Sequence, residues 1–183
     1  MLDQSPEQGA LFNQPGLGTD DSVGYRGPTA CAAAGITYRQ LDYWARTDLV
    51  VPTVRSAAGS GSQRLYSFKD ILVLKVVKRL LDTGVSLQNI RLAVDTLRER
   101  GVEDLARITL LSDGTTVYEC TSSEEVVDLL RGGQGVFGIA VSGALRELAG
   151  SLASLPSERT DGVVESQAPD ELSQRRQRRT GTG

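Results

Sequence analysis

The chain has 183 residues, 39% hydrophobic and 23% charged, with a net charge of −3, which fits one ordinary soluble domain or two small ones with tails. It has no histidine and only two cysteines, Cys31 and Cys120, far apart. That excludes a Ser-His-Asp triad, a Cys-His pair, histidine-ligated zinc and a disulfide framework, so neither enzyme chemistry nor a metal or cofactor is expected. No apolar run is long enough to cross a bilayer, and MLDQSPEQGALF lacks the basic start and apolar core of a signal peptide; a cytoplasmic location is expected.

Residues 1–23 are rich in Gln, Gly, Pro, Asp and Ser and read as a disordered tail. Gly27-Pro28 then opens a short helix through TACAAA. Gly35 ends it, as the turn glycine of a helix-turn-helix does. Thr37 caps a second helix. In that helix Leu41, Trp44 and Ala45 share one face, and Arg39, Asp42, Tyr43 and Arg46 share another. It stops near Asp48, before Pro52. Residues 52–66, PTVRSAAGSGSQRLY, read as a β-hairpin with Gly59 and Gly61 in its tip. Ser67 to Asp70 is a capping-box-like start with Asp in place of Glu, launching a helix closed by Gly84. Ser86 caps a fourth helix with Leu87, Ile90, Val94 and Leu97 in one stripe, ended by Gly101.

This order, helix, turn, helix, hairpin, helix, helix, predicts a winged helix-turn-helix over residues 24–100. The same segment carries twelve Lys/Arg against six Asp/Glu, a net +6, whereas the rest of the chain has eight against seventeen, a net −9. A basic segment inside an acidic chain is the footprint of a polyanion partner.

Residues 101–155 have a different character. ARITLLSDGTTVYEC is two β-branched runs around Asp113-Gly114, a hairpin signal. SSEEVVDLLRGG reads as a helix capped by Ser122 or Ser123 and closed by Gly132, GVFGIAV as a buried strand, and ALRELAGSLASL as a helix with Leu145, Leu148 and Leu152 on one face. A small α/β C-terminal domain is expected, serving dimerisation or an effector. Its three basic and eight acidic residues, net −5, disfavour DNA contact there. Gly133, Gly135 and Gly138 spell GxGxxG, but the run follows a helix and enters a strand, the reverse of a dinucleotide site. Residues 156–183 read as a disordered tail. The tail's Arg175, Arg176, Arg178 and Arg179 are either a non-specific polyanion contact or a solvated run; the acids nearby favour the second.

Taken together, Gly35-Ile36-Thr37, Leu41-Asp42-Tyr43-Trp44, Leu49-Val50-Val51-Pro52, Arg55, Arg64-Leu65-Tyr66 and Gly84-Val85-Ser86-Leu87-Gln88-Asn89-Ile90 resemble, in order and spacing, the MerR family of bacterial transcription regulators. The resemblance implies a nucleoid-associated homodimer on near-palindromic, double-stranded promoter DNA. The second helix would lie in the major groove and the hairpin along the backbone as a wing. RNA polymerase is a further implied partner; the sign of regulation and any effector stay open. Tyr43 matches a tyrosine that reaches the DNA backbone, and Arg55 and Arg64 match arginines that contact phosphate.

Beside this, Tyr38 and Arg39 stand at the start of the second helix, where side chains reach base edges, and Arg39 suits guanine. Thr29 would add a phosphate contact with the first helix's amides. Three positions depart from the family pattern: most relatives have arginine at Asp42 and an acid at Ala45, and they usually have glycine at Asp48. Asp42 would read a cytosine amine or pair with Arg39 or Arg46. Trp44, Tyr66 and Phe68 read as packing, Arg46 as snorkelling beside the third helix, and Lys75, Lys78 and Arg79 as a solvated helix face. The acid on the reading face also motivates a second reading, a winged-helix adaptor that binds a protein and not DNA.

Overall fold

The structure is a computed structural model that describes residues 22–56, 63–126 and 137–160. Most of the N-terminal tail, the hairpin tip with Gly59 and Gly61, most of the helix after Ser122, Gly133, Gly135 and the arginine cluster lie outside the described residues.

Helix α1 spans Gly27–Ala34 with Pro28 in its first turn. Gly35 closes it at φ 73°, a left-handed conformation that glycine adopts without a Cβ penalty, and its amide donates to Cys31 O at 2.9 Å. Helix α2, Tyr38–Arg46, is entered through a full capping box: Gln40 N donates to Thr37 Oγ1 at 3.2 Å and Thr37 N to Gln40 Oε1 at 2.9 Å. Here the sequence showed only half of the box. These two helices and their glycine turn form the helix-turn-helix.

Helix α3, Phe68–Asp82, is the hub of the molecule. Its Ile71, Leu72, Val73, Leu74, Val76, Val77 and Leu80 are buried, so it is apolar nearly all round, as a central helix must be. Against it pack α1, helix α4 (Leu87–Glu99) and the C-terminal helix α6 (Val141–Leu152). Among the described residues α3, with 15 residues, is the longest helix, and α4 is followed by the single turn α5, Val102–Leu105.

Two antiparallel three-stranded sheets flank the helices. In the first, β1 (Val23–Arg26) lies between β2 (Leu65–Tyr66) and β6 (Glu158–Arg159). Tyr25 pairs with Tyr66, and Gly24 with Glu158. Neither β1 nor β6 is visible in the sequence, which places residues from Pro156 onward in a tail. Both strands are too short to show a period, and each exists because its partner supplies the hydrogen bonds. The hairpin expected over 52–66 appears as a pair of bonds between Arg55 and Leu65, 3.1 and 2.9 Å.

In the second sheet, β3 (Thr109–Ser112) lies between β4 (Val117–Cys120) and β5 (Phe137–Ala140). Asp113-Gly114 turns the first hairpin, with Gly114 at φ 90° and Asp113 Oδ1 accepting from the amides of Thr115 and Thr116 at 2.9 and 2.7 Å. Those bonds hold the Asp113 carboxyl below its ordinary pKa. β5 is not the fully buried strand expected: Ile139 is buried while Gly138 and Ala140 are exposed. It is an edge strand with one covered face. At Gly138, the last glycine of the GxGxxG run, a Cβ would lie 2.9 Å from Leu111 Cδ2, so that side chain would have to shift to admit one.

Leu145, Leu148 and Leu152 of α6 are buried as expected, but against α1 and α3 as well as their own sheet. One core therefore runs from Tyr25 to Leu152 without a break at Gly101. Lys75 and Arg79 are not the solvated face that the sequence suggested. Lys75 Nζ lies 3.3 Å and Arg79 Nη2 2.6 Å from the Glu147 carboxylate, fastening α6 to α3, and both lower the pKa of Glu147, Arg79 the more.

Candidate nucleic-acid interface

Leu41 and Trp44 hold α2 to the core, each 2% exposed. That packing fixes which face looks outward. Tyr38 and Tyr43, 63% and 51% exposed, stand on it together with exposed Arg39 and Arg46. Exposed phenols beside guanidinium groups offer donors and flat apolar surface to an anionic, stacked ligand.

The C-terminal end of α2 is held by the fourth helix. Arg91 Nη1 donates to Thr47 O at 2.7 Å, and Arg98 Nη2 donates to Leu49 O at 2.7 Å and Asp48 O at 3.2 Å. Two cations thus satisfy carbonyls at the negative end of the helix dipole. Sequence reasoning missed both; two arginines seven residues apart, and so on one face of α4, were the available signal. Asp48 sits at φ 55° just past α2. Aspartate tolerates this left-handed position better than most residues.

Asp42 does not face a ligand alone. Its Oδ1 accepts from Arg64 Nη1 at 2.9 Å, and its Oδ2 lies 2.8 Å from Arg46 Nη2. The Arg64 hydrogen bond, reinforced by Arg46, holds its carboxyl below the ordinary pKa. Of the partners expected for Asp42, Arg46 is present and Arg39 is not; Arg64, from the strand flank of the hairpin, is the unforeseen one. Arg46 accordingly does not snorkel beside α3. The acid locks the second helix to the hairpin.

The hairpin's other strand is fixed by a buried network. Asp70 Oδ2 accepts from Thr53 N, Thr53 Oγ1 and Ser67 N at 2.8, 2.9 and 2.9 Å, while Ser67 Oγ accepts from Asp70 N at 3.1 Å. This capping box, legible in sequence, reaches further than expected, because it also anchors the chain two residues before exposed Arg55.

A cleft of about 460 Å³ opens between the start of α1 and the face of α2, lined by Arg26, Gly27, Tyr38, Asp42, Arg64 and Tyr66 among others. Tyr66 is fully buried, and its Oη has no hydrogen-bond partner among the described residues. Burial pushes its pKa up to about 12, so it stays a neutral phenol. Thr29 is a correction: at 8% exposure it belongs to the inner side of α1 and not to the outward surface. Trp44, Tyr66 and Phe68 pack in the core as expected.

The positive charge of residues 24–100 is largely committed inside the molecule. Arg26 pairs with Glu158, Arg46 and Arg64 with Asp42, Lys78 with Asp82, and Arg100 with Glu119. Arg91 and Arg98 hold α2, Lys69 donates to Arg98 O at 2.5 Å, and Lys75 and Arg79 hold Glu147. Among the described residues, Arg39 and Arg55 are the cations of this segment with no acidic or carbonyl partner for the side chain. Both are exposed, one at the start of α2 and one on the hairpin.

Residues 25–97 match the model of the MerR HTH family of regulatory proteins. The chain is 75% identical over 172 residues to an HTH-type transcriptional regulator of Mycobacterium bovis, a match that covers 91% of this chain and 76% of the relative. An HTH-type transcriptional regulator of Mycobacterium tuberculosis H37Rv matches with the same identity and coverage.

Proposed function

The chain belongs to the MerR HTH family of regulatory proteins, and from that premise we propose that it binds near-palindromic promoter DNA as a homodimer and regulates transcription there. The observation that carries this reading is the pair Arg39 and Arg55, two exposed guanidiniums without an acidic or carbonyl partner among the described residues, in a segment whose other cations are engaged by protein groups. In this reading α2 enters the major groove, with Arg39 and Tyr38 at base edges and Tyr43 on the backbone. The 52–66 hairpin acts as the wing and sets Arg55 on a phosphate. Arg64 serves by way of Asp42, fixing the angle between wing and helix, and reaches phosphate only at the edge of the cleft. The protein works in the cytoplasm, on the nucleoid; among the described residues no helix is long and apolar enough to cross a membrane.

The test is electrophoretic retardation of genomic promoter fragments between 50 and 200 mM salt, with the oligomeric state measured in the same buffers. Affinity should fall linearly on a log-log plot, with a slope of about −0.9 per phosphate neutralised. Arg55→Ala should weaken every sequence alike and flatten that slope by about 1; Arg39→Ala should also relax the choice of sequence. Salt-independent retention, or none on any fragment, sinks the proposal and leaves the protein-binding adaptor.

A further inference from the structure

Among the described residues, Tyr66 Oη is the only buried side-chain nitrogen or oxygen without a hydrogen-bond partner. Tyr66 is 0% exposed and forms part of the wall of the cleft between α1 and α2. After burial, Arg64 has the largest influence on this hydroxyl, and Tyr38 also acts on it; both line the same cleft. The hydroxyl end of the ring is therefore turned toward the cleft. A buried polar group is left unmatched only at a cost, and here the group faces a space that an outside partner can enter.

The surroundings define that partner. α1 opens onto the cleft through Gly27 and Pro28, and its first turn receives no side-chain cap. Uncapped amides at the positive end of a helix favour an anion, and the neutral Tyr66 phenol adds a donor. Asp42 also lines the cleft, but its two oxygens are engaged by Arg64 and Arg46. Leu41, Pro28 and the Tyr38 ring supply apolar surface. The ring lies across the first turn of α1, since a Cβ on Gly27 would stand 3.1 Å from Tyr38 Cε2. At about 460 Å³ the cleft has the size of a small-molecule site. A phosphate in a duplex is carried on a backbone too bulky to reach a fully buried hydroxyl; it meets outward groups such as Arg39 and Arg55 instead.

We propose that this cleft binds a small organic anion, a phosphate or carboxylate on a flat apolar body, with the anionic group on Tyr66 Oη and the first turn of α1 and the body against Tyr38 and Leu41. Bound there, it places negative charge beside the outward face of α2 and opposes DNA. That consequence rests on the DNA-binding reading above; the site itself does not.

The test is calorimetric titration of the full chain and of Tyr66→Phe with phenyl phosphate, inorganic phosphate and phenol. The parent should bind phenyl phosphate at millimolar concentration or below, and more tightly than inorganic phosphate, which lacks the body, or phenol, which lacks the charge. Tyr66→Phe keeps the ring and should weaken phenyl phosphate by about tenfold or more. Without the probe it should melt no lower than the parent. No binding of phenyl phosphate by the parent, or equal binding by the variant, overturns the site whatever the DNA result. A variant that melts well below the parent also overturns it, because the hydroxyl then has a partner within the fold. In retardation assays on a selected promoter fragment, phenyl phosphate should release the parent and not Tyr66→Phe; release of both alike overturns the opposition to DNA. A parent that binds the probe but no fragment keeps the site and overturns the DNA-binding reading.

Discussion

Asp42 shows how one side chain can contradict a surface pattern and serve it. Taken alone it repels phosphate; in place it holds Arg46 and Arg64 together. Because its folded pKa is lowered, its stabilising contribution is complete above the unfolded carboxylate range, near 4, and disappears as pH falls through the folded value. Asp42→Asn should therefore lower the urea midpoint at pH 7, with the gap to the parent narrowing as pH falls below the unfolded carboxylate range. The same change frees two guanidiniums, so non-specific DNA affinity should rise while stability falls; both moving down together would contradict this account. Asp48 gives a backbone test. At φ 55° alanine pays about 1–2 kcal/mol that glycine does not. Asp48→Gly should match or exceed the parent in thermal melts, and Asp48→Ala should lose about 1 kcal/mol. Asp70 is the costliest residue to remove here: Asp70→Ala strands the buried amide of Ser67 and the Thr53 donors, for about 2–4 kcal/mol in denaturant titrations.

At the scale of elements, the sequence was readable wherever local chemistry decides. The Gly35 turn, the Thr37 and Ser67 caps and the Asp113-Gly114 turn each rest on hydrogen bonds within four residues, and each stands where expected. What stayed hidden depends on distant partners. β6 is a strand only because it meets β1 from the other end of the chain, Arg159 on Val23 and Glu158 on Gly24, and β1 in turn also needs Tyr66 of β2. The Arg64–Asp42 pair spans 22 positions, and the Arg98 cap of α2 reaches back about 50. Outward residues of α2 were legible because a helix with one packed face exposes the other; Thr29 was misplaced because α1 is covered on a side that no α1 pattern reveals. Arg98→Ala tests the hidden half. Loss of two charge-assisted bonds should cost about 1.5–3 kcal/mol. Hydrogen exchange should quicken first in the last turn of α2, before the rest of the core.

Across the whole molecule, the continuous core changes what the second half is for. An independent domain would unfold on its own, whereas α6 shares buried neighbours with α1 and α3 and is tied to α3 through Glu147. Anything that shifts α6 would be felt by the scaffold that orients α2, a mechanical route from the C-terminal half to the reading face. Trp44, the only tryptophan, reports on α2, and Leu148, fully buried on α6, lies in the other half. Leu148→Ala leaves a cavity and should cost about 3 kcal/mol. If the core is one cooperative unit, Trp44 fluorescence must register that loss in full, and its denaturant midpoint should coincide with that of far-ultraviolet circular dichroism in both proteins. A Trp44 transition that stays at the parent's midpoint while the circular dichroism splits in two would show that the halves fold separately, and would remove the physical basis for coupling between them.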